Sequence, residues 1–329
     1  MSERTVGSGA LLETRDLVKR FPVRHGLTRR LAGHVTAVDG VALRVEAGET
    51  LGLVGESGCG KSTVARLLTR LERPTSGSIR FGGQDLAELV EVELGPVRRE
   101  LQMVFQDPFS SLNPRQTVRR ILASPYRYQG LTPDEPVEAL LERVGLKPEH
   151  ADRHPHEFSG GQAQRIGIAR ALALRPKLVV CDEPVSALDV SVQAQILNLL
   201  KDLQDEYGLA YLFIAHDLGA IRQISTRIAV MYLGSVVETA DRDTLFDSPA
   251  HPYTRALLSA VPLPDPDAER ARRRIVLRGD LPSPLDPPSG CRFRTRCPKA
   301  TDLCAAERPV LAAINPGHEV ACHHPETTK

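Results

Sequence analysis

The sequence predicts an α/β fold built on a phosphate-binding loop, with an antiparallel β subdomain, a parallel-sheet core, a helical subdomain and a small C-terminal extension. The first observation is residues 55–62 (GESGCGKS), which fit G-x-x-x-x-G-K-[ST] between a strand-like run and a helix. The second is two continuous apolar runs, 178–181 and 211–215, typical of parallel strands buried on both faces. The third is a cluster of four cysteines beyond residue 290.

Length, charge and hydropathy limit the class of protein. The 329 residues exceed a typical single domain, and 42 Lys and Arg nearly balance 41 Asp and Glu. This balance argues against nucleic acid as a partner, as does the absence of Trp. No apolar stretch reaches the roughly 18 residues that span a bilayer, and residues 1–4 do not resemble a signal peptide. We therefore expect a cytosolic chain whose six cysteines are thiols or metal ligands rather than disulfides.

The chemistry of phosphate binding explains the residue types of this loop. Its glycines let backbone N–H groups turn toward phosphate oxygens, and the following helix adds its positive end. Lys61 is expected to reach the β- and γ-phosphates and Ser62 to bind Mg²⁺. A glycine-rich turn without ligand is the alternative, which the complete strand-loop-helix context disfavours. The predicted ATP-binding residues of the loop are Gly55, Glu56, Ser57, Gly58, Cys59, Gly60, Lys61, Ser62 and Thr63.

Short alternating pieces separated by turns fill residues 11–54, and they predict an antiparallel strand group ahead of the loop. Phe21 is the aromatic residue in this region, and it either stacks on the nucleotide base or belongs to the core. We name it as the base-stacking candidate and keep both interpretations open.

The next segments predict a strand, a helical insertion and a second anion-binding helix start. The strand 103–105 ends at Gln106, whose amide could face a metal or water. Apolar residues at 137, 140, 141 and 144 have the spacing of a helix. Four residues that open the helix after Phe158 either bind an anion or merely cap it: Ser159, Gly160, Gly161 and Gln162.

Acidic residues follow the central strand. Asp182 and Glu183 come directly after the run 178–181, where ligands bind in open α/β sheets. We expect Asp182 to complete the Mg²⁺ site with Ser62 and Gln106, and Glu183 to act as general base. His216 follows the next predicted strand and is placed beside the same phosphate.

Six landmarks in this order resemble an ABC-transporter nucleotide-binding subunit. They are the phosphate loop, 106–108, 159–162, 178–183, 186–189 and His216. The resemblance implies an ABC-type P-loop NTPase with a RecA-like core, an ATPase domain over 1–262 and a helical subdomain at about 107–165.

The resemblance also implies roles. Gln106 resembles the residue that links Mg²⁺ and the attacking water to the transmembrane subunits, and His216 the one that contacts the γ-phosphate. Residues 159–162 resemble the signature motif that reaches the ATP of the opposite subunit, and Asp189 a residue of the dimer interface. Lys61, Gln106, Glu183 and His216 are thus the predicted catalytic residues, and one chain holds only half of each site. Phe158 departs from the family, which most often has Leu there.

The C-terminal region 263–329 is predicted to be a separate extension. It starts with a linker at Pro262, Pro264 and Pro266 and a basic run, 270–274, interpreted as a solvated face, followed by the strand-like run 275–277. Its cysteines are spaced C-x5-C-x6-C-x17-C, at Cys291, Cys297, Cys304 and Cys322. They suit a [4Fe–4S] cluster or, less naturally at this spacing, Zn²⁺; buried thiols are the third possibility.

Four segments beyond residue 250 resemble the oligopeptide/dipeptide/nickel importer ATPases, in their second-ATPase type: 251–254, 279–284, 288–293 and 296–298. The resemblance implies an ATPase at the cytoplasmic face of the membrane that energises peptide import. Its implied partners are a second, homologous ATPase in a heterodimer, two permease subunits and an extracytoplasmic binding protein. A nickel or other small-solute importer is an alternative. A soluble nucleic-acid-associated ABC ATPase is another, which the lack of a second ATPase half disfavours.

Overall fold

The computed structural model describes residues 9–25, 30–261, 267, 270 and 274–326. The N-terminal residues 1–8, the predicted linker prolines with the 262/263 domain boundary, and most of the basic run 270–274 lie outside the described residues.

The strands belong to two sheets. In chain order they are β1 (Leu12–His25), β2 (Arg30–Val45), β3 (Thr50–Val54), β4 (Ser76–Phe81), β5 (Gln84–Asp85), β6 (Leu101–Val104), β7 (Leu178–Asp182), β8 (Ala210–Ile214), β9 (Arg227–Tyr232), β10 (Ser235–Asp241), β11 (Ala312–Asn315) and β12 (His318–Val320). The first sheet is antiparallel with order β2-β1-β4-β5, as the alternating pieces predict. The second has order β11-β12-β10-β9-β3-β8-β7-β6 and is parallel from β9 to β6.

The helices connect and cover the second sheet. They are α1 (Lys61–Leu68), α2 (Leu94–Glu100), α3 (Pro108–Ser111), α4 (Val118–Gln129), α5 (Val137–Arg143), α6 (Gly160–Leu172), α7 (Val190–Tyr207), α8 (Leu218–Ile224), α9 (Arg242–Asp247), α10 (Pro252–Ser259) and α11 (Asp302–Ala306). Between β6 and β7 the chain is helical, with short 3₁₀ turns at Pro148–Asp152 and Pro155–Glu157.

The central strands are buried on both faces, which explains their unbroken apolar sequences. Along β7, Val179 and Cys181 join a core cluster with α4 to α7, while Leu178 and Val180 join a second cluster with α1 and the antiparallel sheet. Polar groups with chemical roles can therefore stand only beyond the ends of these strands.

The C-terminal region continues the main sheet. Strand β12 pairs antiparallel with β10, with Glu238 opposite Val320, and β11 pairs with β12. The sequence does not predict these two short strands. The strand expected at 275–277 is wrong: this segment has no regular structure and Val276 is 80% exposed. An apolar run forms a strand only where a sheet edge is within reach for pairing.

Candidate nucleotide site

Three neighbouring parallel strands and β3 deliver the predicted site residues to one edge. Gln106 follows β6, Asp182 ends β7 with Glu183 directly after it, and His216 follows β8. The phosphate loop follows β3, which pairs with β8. Because the carboxyl ends of parallel strands share an edge, residues more than 150 positions apart in the chain meet there.

Two glycines give the phosphate loop its shape. A Cβ on Gly55 would lie 2.1 Å from the Met231 carbonyl oxygen, and a Cβ on Gly60 would lie 2.1 Å from that of Ala37. Gly60 also has a φ of 107°, which side-chain-bearing residues rarely adopt. Only glycine therefore lets this loop lie between β2 and β9.

Lys61 bridges the loop from inside. Its Nζ donates to the carbonyl oxygens of Gly55 at 2.8 Å and Glu56 at 3.1 Å, and the residue is only 4% exposed. A buried ammonium that is held by neutral carbonyls keeps its charge available for an anion. The predicted phosphate role of Lys61 fits this position.

Ser62 and Asp182 form the predicted Mg²⁺ ligand pair. The Ser62 hydroxyl donates to Asp182 Oδ1 at 2.9 Å, although 120 residues separate them. Burial raises the pKa of Asp182, and the Ser62 hydrogen bond partly opposes the shift. A carboxylate and a hydroxyl beside the phosphate loop are hard oxygen donors of the kind that Mg²⁺ prefers.

One oxygen of Glu183 is shared by two predicted catalytic residues. Gln106 Nε2 donates to Glu183 Oε2 at 3.1 Å, and His216 Nδ1 lies 3.2 Å from the same atom. The Glu183 side chain is 14% exposed and that of His216 is 54% exposed. The three groups converge on one point at the mouth of the site.

A cleft of about 550 Å³ lies over the loop. Its lining includes most of the phosphate loop together with Gln106, Glu183 and His216, and also Val35, Leu233 and Pro284, which the sequence does not predict. Phe21 is not among the lining residues, but its partner across the β1–β2 pair, Val35, is. The Phe21 ring instead lies 4.8 Å below the Lys19 ammonium, so its role as the base-stacking residue stays a prediction.

The signature residues form a capped helix start away from this cleft. The Ser159 hydroxyl accepts from the Gln162 N–H at 3.4 Å, and Gln162 Oε1 accepts from the Ser159 N–H at 3.1 Å. Gly160 and Gly161 follow, and Phe158 anchors the segment in the core at 7% exposure. Residues 159–162 do not line the cleft of their own chain. This position fits a role at the site of another subunit.

Glu56 has two partners from the C-terminal part of the chain. Its N–H donates to the Tyr253 hydroxyl at 2.9 Å, and its carboxylate pairs with Arg296 at 2.8 Å. Sequence reasoning misses both contacts because 197 and 240 residues separate the partners and no local pattern marks them.

The four clustered cysteines are close enough to influence one another electrostatically. Burial raises the pKa of the Cys322 thiol to about 11, and the charges of Cys291, Cys297 and Cys304 add to the shift. Nevertheless, in the part of the chain that the structure describes, no three His, Cys, Asp or Glu side chains are arranged as a metal-binding group. The predicted metal centre therefore has no preformed ligand set here.

Among the described residues, no helix has the length and apolar character needed to cross a membrane.

Fold and site together define an ATP-binding cassette. The profile of the ABC transporter family matches residues 38–186, and that of the oligopeptide/dipeptide transporter C-terminal region matches residues 237–304. The chain is 55% identical to the oligopeptide transport ATP-binding protein AppF of Bacillus subtilis, across 95% of this chain and 97% of that protein. It is 52% identical to OppF of Escherichia coli, across 98% of both chains.

A solved ATP-binding cassette, a dimer in a post-hydrolysis state with ADP and Pi, superposes with a TM-score of 0.62. It is 28% identical and covers 70% of this chain and 98% of its own. The chain belongs to the ATP-binding subunits of oligopeptide/dipeptide ABC transporters. The family and fold predicted from the motif order are confirmed, as is an ATPase that uses ATP and Mg²⁺.

Proposed function

We propose that this chain hydrolyses ATP to drive the import of di- or oligopeptides. The observation that carries the ATPase part is the convergence of Gln106 and His216 on one oxygen of Glu183, beside the phosphate loop. The cargo part is supported by relatives above 50% identity that are named oligopeptide transport ATP-binding proteins.

In this mechanism Glu183 accepts a proton from the water that attacks the γ-phosphate. Gln106 and His216 hold the carboxylate in place, and the exposed His216 ring is accessible to a γ-phosphate bound over the loop. Lys61 would stabilise negative charge on the β- and γ-phosphates. Ser62 and Asp182 would hold Mg²⁺, which would supply further positive charge for the phosphates.

The complete site is proposed to need two ATPase subunits. The signature residues lie outside the cleft of their own chain, and the superposed cassette is dimeric, which together support a head-to-tail pair. We propose that the partner is a second, homologous ATPase. The pair would contact two permease subunits at the cytoplasmic face of the membrane, with an extracytoplasmic binding protein supplying the peptide.

Glu183→Gln tests the catalytic assignment. It keeps the shape of the side chain and removes the base, so kcat should fall by roughly 10²- to 10⁴-fold while ATP binding persists. Glu100→Gln is the matched control, because Glu100 ends α2 just before β6 begins, at the opposite edge of the same sheet. Unchanged turnover in Glu183→Gln would exclude Glu183 as the general base.

The cargo is tested through the partner proteins. Co-purification of the tagged full-length chain should recover permease subunits, and the associated binding protein should bind peptides in a calorimetric screen. Preferential binding of nickel would favour the small-solute alternative, and recovery of RNA or DNA in place of permeases would reject the importer.

A metal centre in the C-terminal region is proposed separately. Its support is the sequence pattern of the four cysteines, two of which the fold links where the Cys291 N–H donates to the Cys304 carbonyl oxygen at 2.8 Å. A [4Fe–4S] cluster is preferred, and Zn²⁺ is the alternative. Iron, sulfide and zinc analysis of anaerobically purified protein, with a visible absorption spectrum, tests it. Protein free of iron and zinc would leave buried thiols as the explanation.

A further inference from the structure

Glu56, the second residue of the phosphate loop, is held at three of its atoms. The Glu56 N–H donates to the Tyr253 hydroxyl, its carbonyl oxygen accepts from Lys61 Nζ, and its Oε2 pairs with Arg296 Nη1. Lys61 belongs to the loop itself, but Tyr253 and Arg296 come from the C-terminal 80 residues of the chain.

Arg296 is placed by a buried aromatic cluster. The backbone N–H of Arg296 donates to the Phe293 carbonyl oxygen at 3.0 Å, and Phe293 is 1% exposed. The Phe293 ring lies 5.2 Å from that of Tyr232 and 5.5 Å from that of Tyr253. The cluster therefore fixes Arg296 and Tyr253 relative to each other and to the loop.

The Arg296–Glu56 pair is shielded from solvent. The Arg296 side chain is 10% exposed and that of Glu56 27%, so loss of the arginine would leave a carboxylate poorly compensated at the start of the loop. The charge of Glu56 acts on the loop interior. The pKa of the Cys59 thiol is raised mainly by burial, and the negative charge of Glu56 raises it further. An unpaired negative charge in this loop would oppose the binding of a triphosphate.

We propose that Arg296 is a positioning residue for ATP binding, and that the C-terminal region thereby completes the phosphate loop of its own chain. Arg296 neutralises Glu56 and, with Tyr253, fixes the loop conformation in which Lys61 and the backbone N–H groups face the phosphates. This inference rests on the ATPase activity but concerns ATP affinity rather than the chemical step.

Arg296→Gln in the full-length chain should raise the KM for ATP about tenfold with kcat within twofold of the unchanged protein. Glu56→Gln in the same background should restore much of the affinity, because the unpaired charge is gone. The KM of Arg296→Lys should lie between those of the unchanged protein and Arg296→Gln, since lysine keeps the charge and loses the guanidinium geometry. Arg294→Gln is the matched control: among the contacts described, the Arg294 side chain bonds only to Ser289 in the same segment, so the KM for ATP of this variant should not change.

An unchanged KM in Arg296→Gln would overturn the proposal, as would a double variant no better than Arg296→Gln alone. If Arg296→Gln does not fold, as judged by circular dichroism, Tyr253→Phe removes only the acceptor for the Glu56 N–H. It should raise the KM several-fold, and an unchanged KM would then reject the proposal. Glu183→Gln acts on kcat and Arg296→Gln on KM, so failure of one inference is distinguishable from failure of the other.

Discussion

Glu183, the proposed general base, has an unfavourable backbone conformation. Its φ of 49° lies in the left-handed region, and Pro184 follows, which disfavours that conformation further. Two contacts hold it there: the Glu183 N–H donates to the Ile214 carbonyl oxygen at 2.9 Å, and its carbonyl oxygen accepts from the Ser186 hydroxyl at 3.0 Å. In this conformation the carboxylate contacts both Gln106 and His216. Strained backbone of this kind clusters at active sites.

At the same scale, Ser62→Ala removes one predicted Mg²⁺ ligand and leaves the phosphate contacts in place. The Mg²⁺ concentration for half-maximal ATPase activity should rise roughly tenfold, since one lost contact costs about 1.4 kcal/mol. Titration of activity with MgCl₂ at saturating ATP measures it. Ser124→Ala, whose hydroxyl donates to the Ile121 carbonyl oxygen within α4, is the control, and an equal response of both variants would remove Ser62 from the metal site.

At the scale of elements, the start of α10 is set by a buried histidine. His251 Nδ1 accepts from the Tyr253 N–H at 3.0 Å, and the backbone N–H of His251 donates to Glu238 Oε2. Burial lowers the pKa of His251 to about 3. The helix that carries Tyr253 to the phosphate loop therefore depends on a neutral imidazole.

The lowered pKa predicts acid sensitivity. Between pH 6.5 and pH 3, His251 is protonated in the unfolded chain but stays neutral in the folded chain. The free energy of unfolding therefore falls as the pH drops toward 3. The slope is at most about 1.4 kcal/mol per pH unit for one proton. In His251→Asn, which keeps a capping acceptor, urea unfolding at several pH values should show a shallower slope. Identical slopes would contradict the prediction; Glu238 and His318, which contact each other nearby, are present in both proteins.

Helices α6 and α7 meet through a glycine of the signature segment. A Cβ on Gly161 would lie 2.5 Å from Val192 Cγ1, whereas one on Gly160 would make an ordinary 3.5 Å contact with Leu188. A valine in a helix has one strongly preferred rotamer and cannot turn away. The spacing of these helices thus requires the second glycine more than the first.

Gly161→Ala should destabilise the protein by about 1–3 kcal/mol through overpacking. Gly160→Ala should have little effect on the thermal midpoint, and Val192→Ala should rescue Gly161→Ala. Differential scanning calorimetry of the unchanged protein, the two single glycine variants and the Gly161→Ala/Val192→Ala double variant tests the packing separately from activity. Equal midpoints for the two glycine variants would show that α6 shifts without cost.

At the scale of the whole molecule, the C-terminal region is built into the cassette. Strand β12 extends the main sheet, and Arg292 and Arg308 both bind Asp39 of β2. Phe293 lies in the same core cluster as the central strands. These contacts join residues up to 269 positions apart and predict one cooperative unit.

Phe293→Ala should lower the free energy of unfolding by about 3–5 kcal/mol, because it leaves a cavity between Tyr232 and Tyr253. Denaturant unfolding followed by far-UV circular dichroism should still show one transition, displaced to lower denaturant. A separate early transition with the main one unchanged would instead identify residues 263–329 as an independent domain.

Local patterns predict the central elements because these carry their own signals. The runs 178–181 and 211–215 form β7 and β8, and the i, i+3, i+4 spacing at 137–141 forms α5. Strands β11 and β12 carry little such signal: they are four and three residues long, and they form only where β10 offers an edge. The run 275–277 fails for the converse reason, since it has strand-like residues but forms no strand.

The sequence by itself determines the chemistry of this protein. Its motifs identify the phosphate loop and the family and predict the Mg²⁺ ligands and the general base, because catalysis needs these residue types next to specific strands and helices. Only the tertiary structure decides that Gln106 and His216 contact the same oxygen of Glu183. It also decides that Arg296 and Tyr253 both bond to Glu56. These contacts join residues 33 to 240 positions apart, and their geometry is set by the sheet order and by the buried aromatic cluster, which no local pattern encodes.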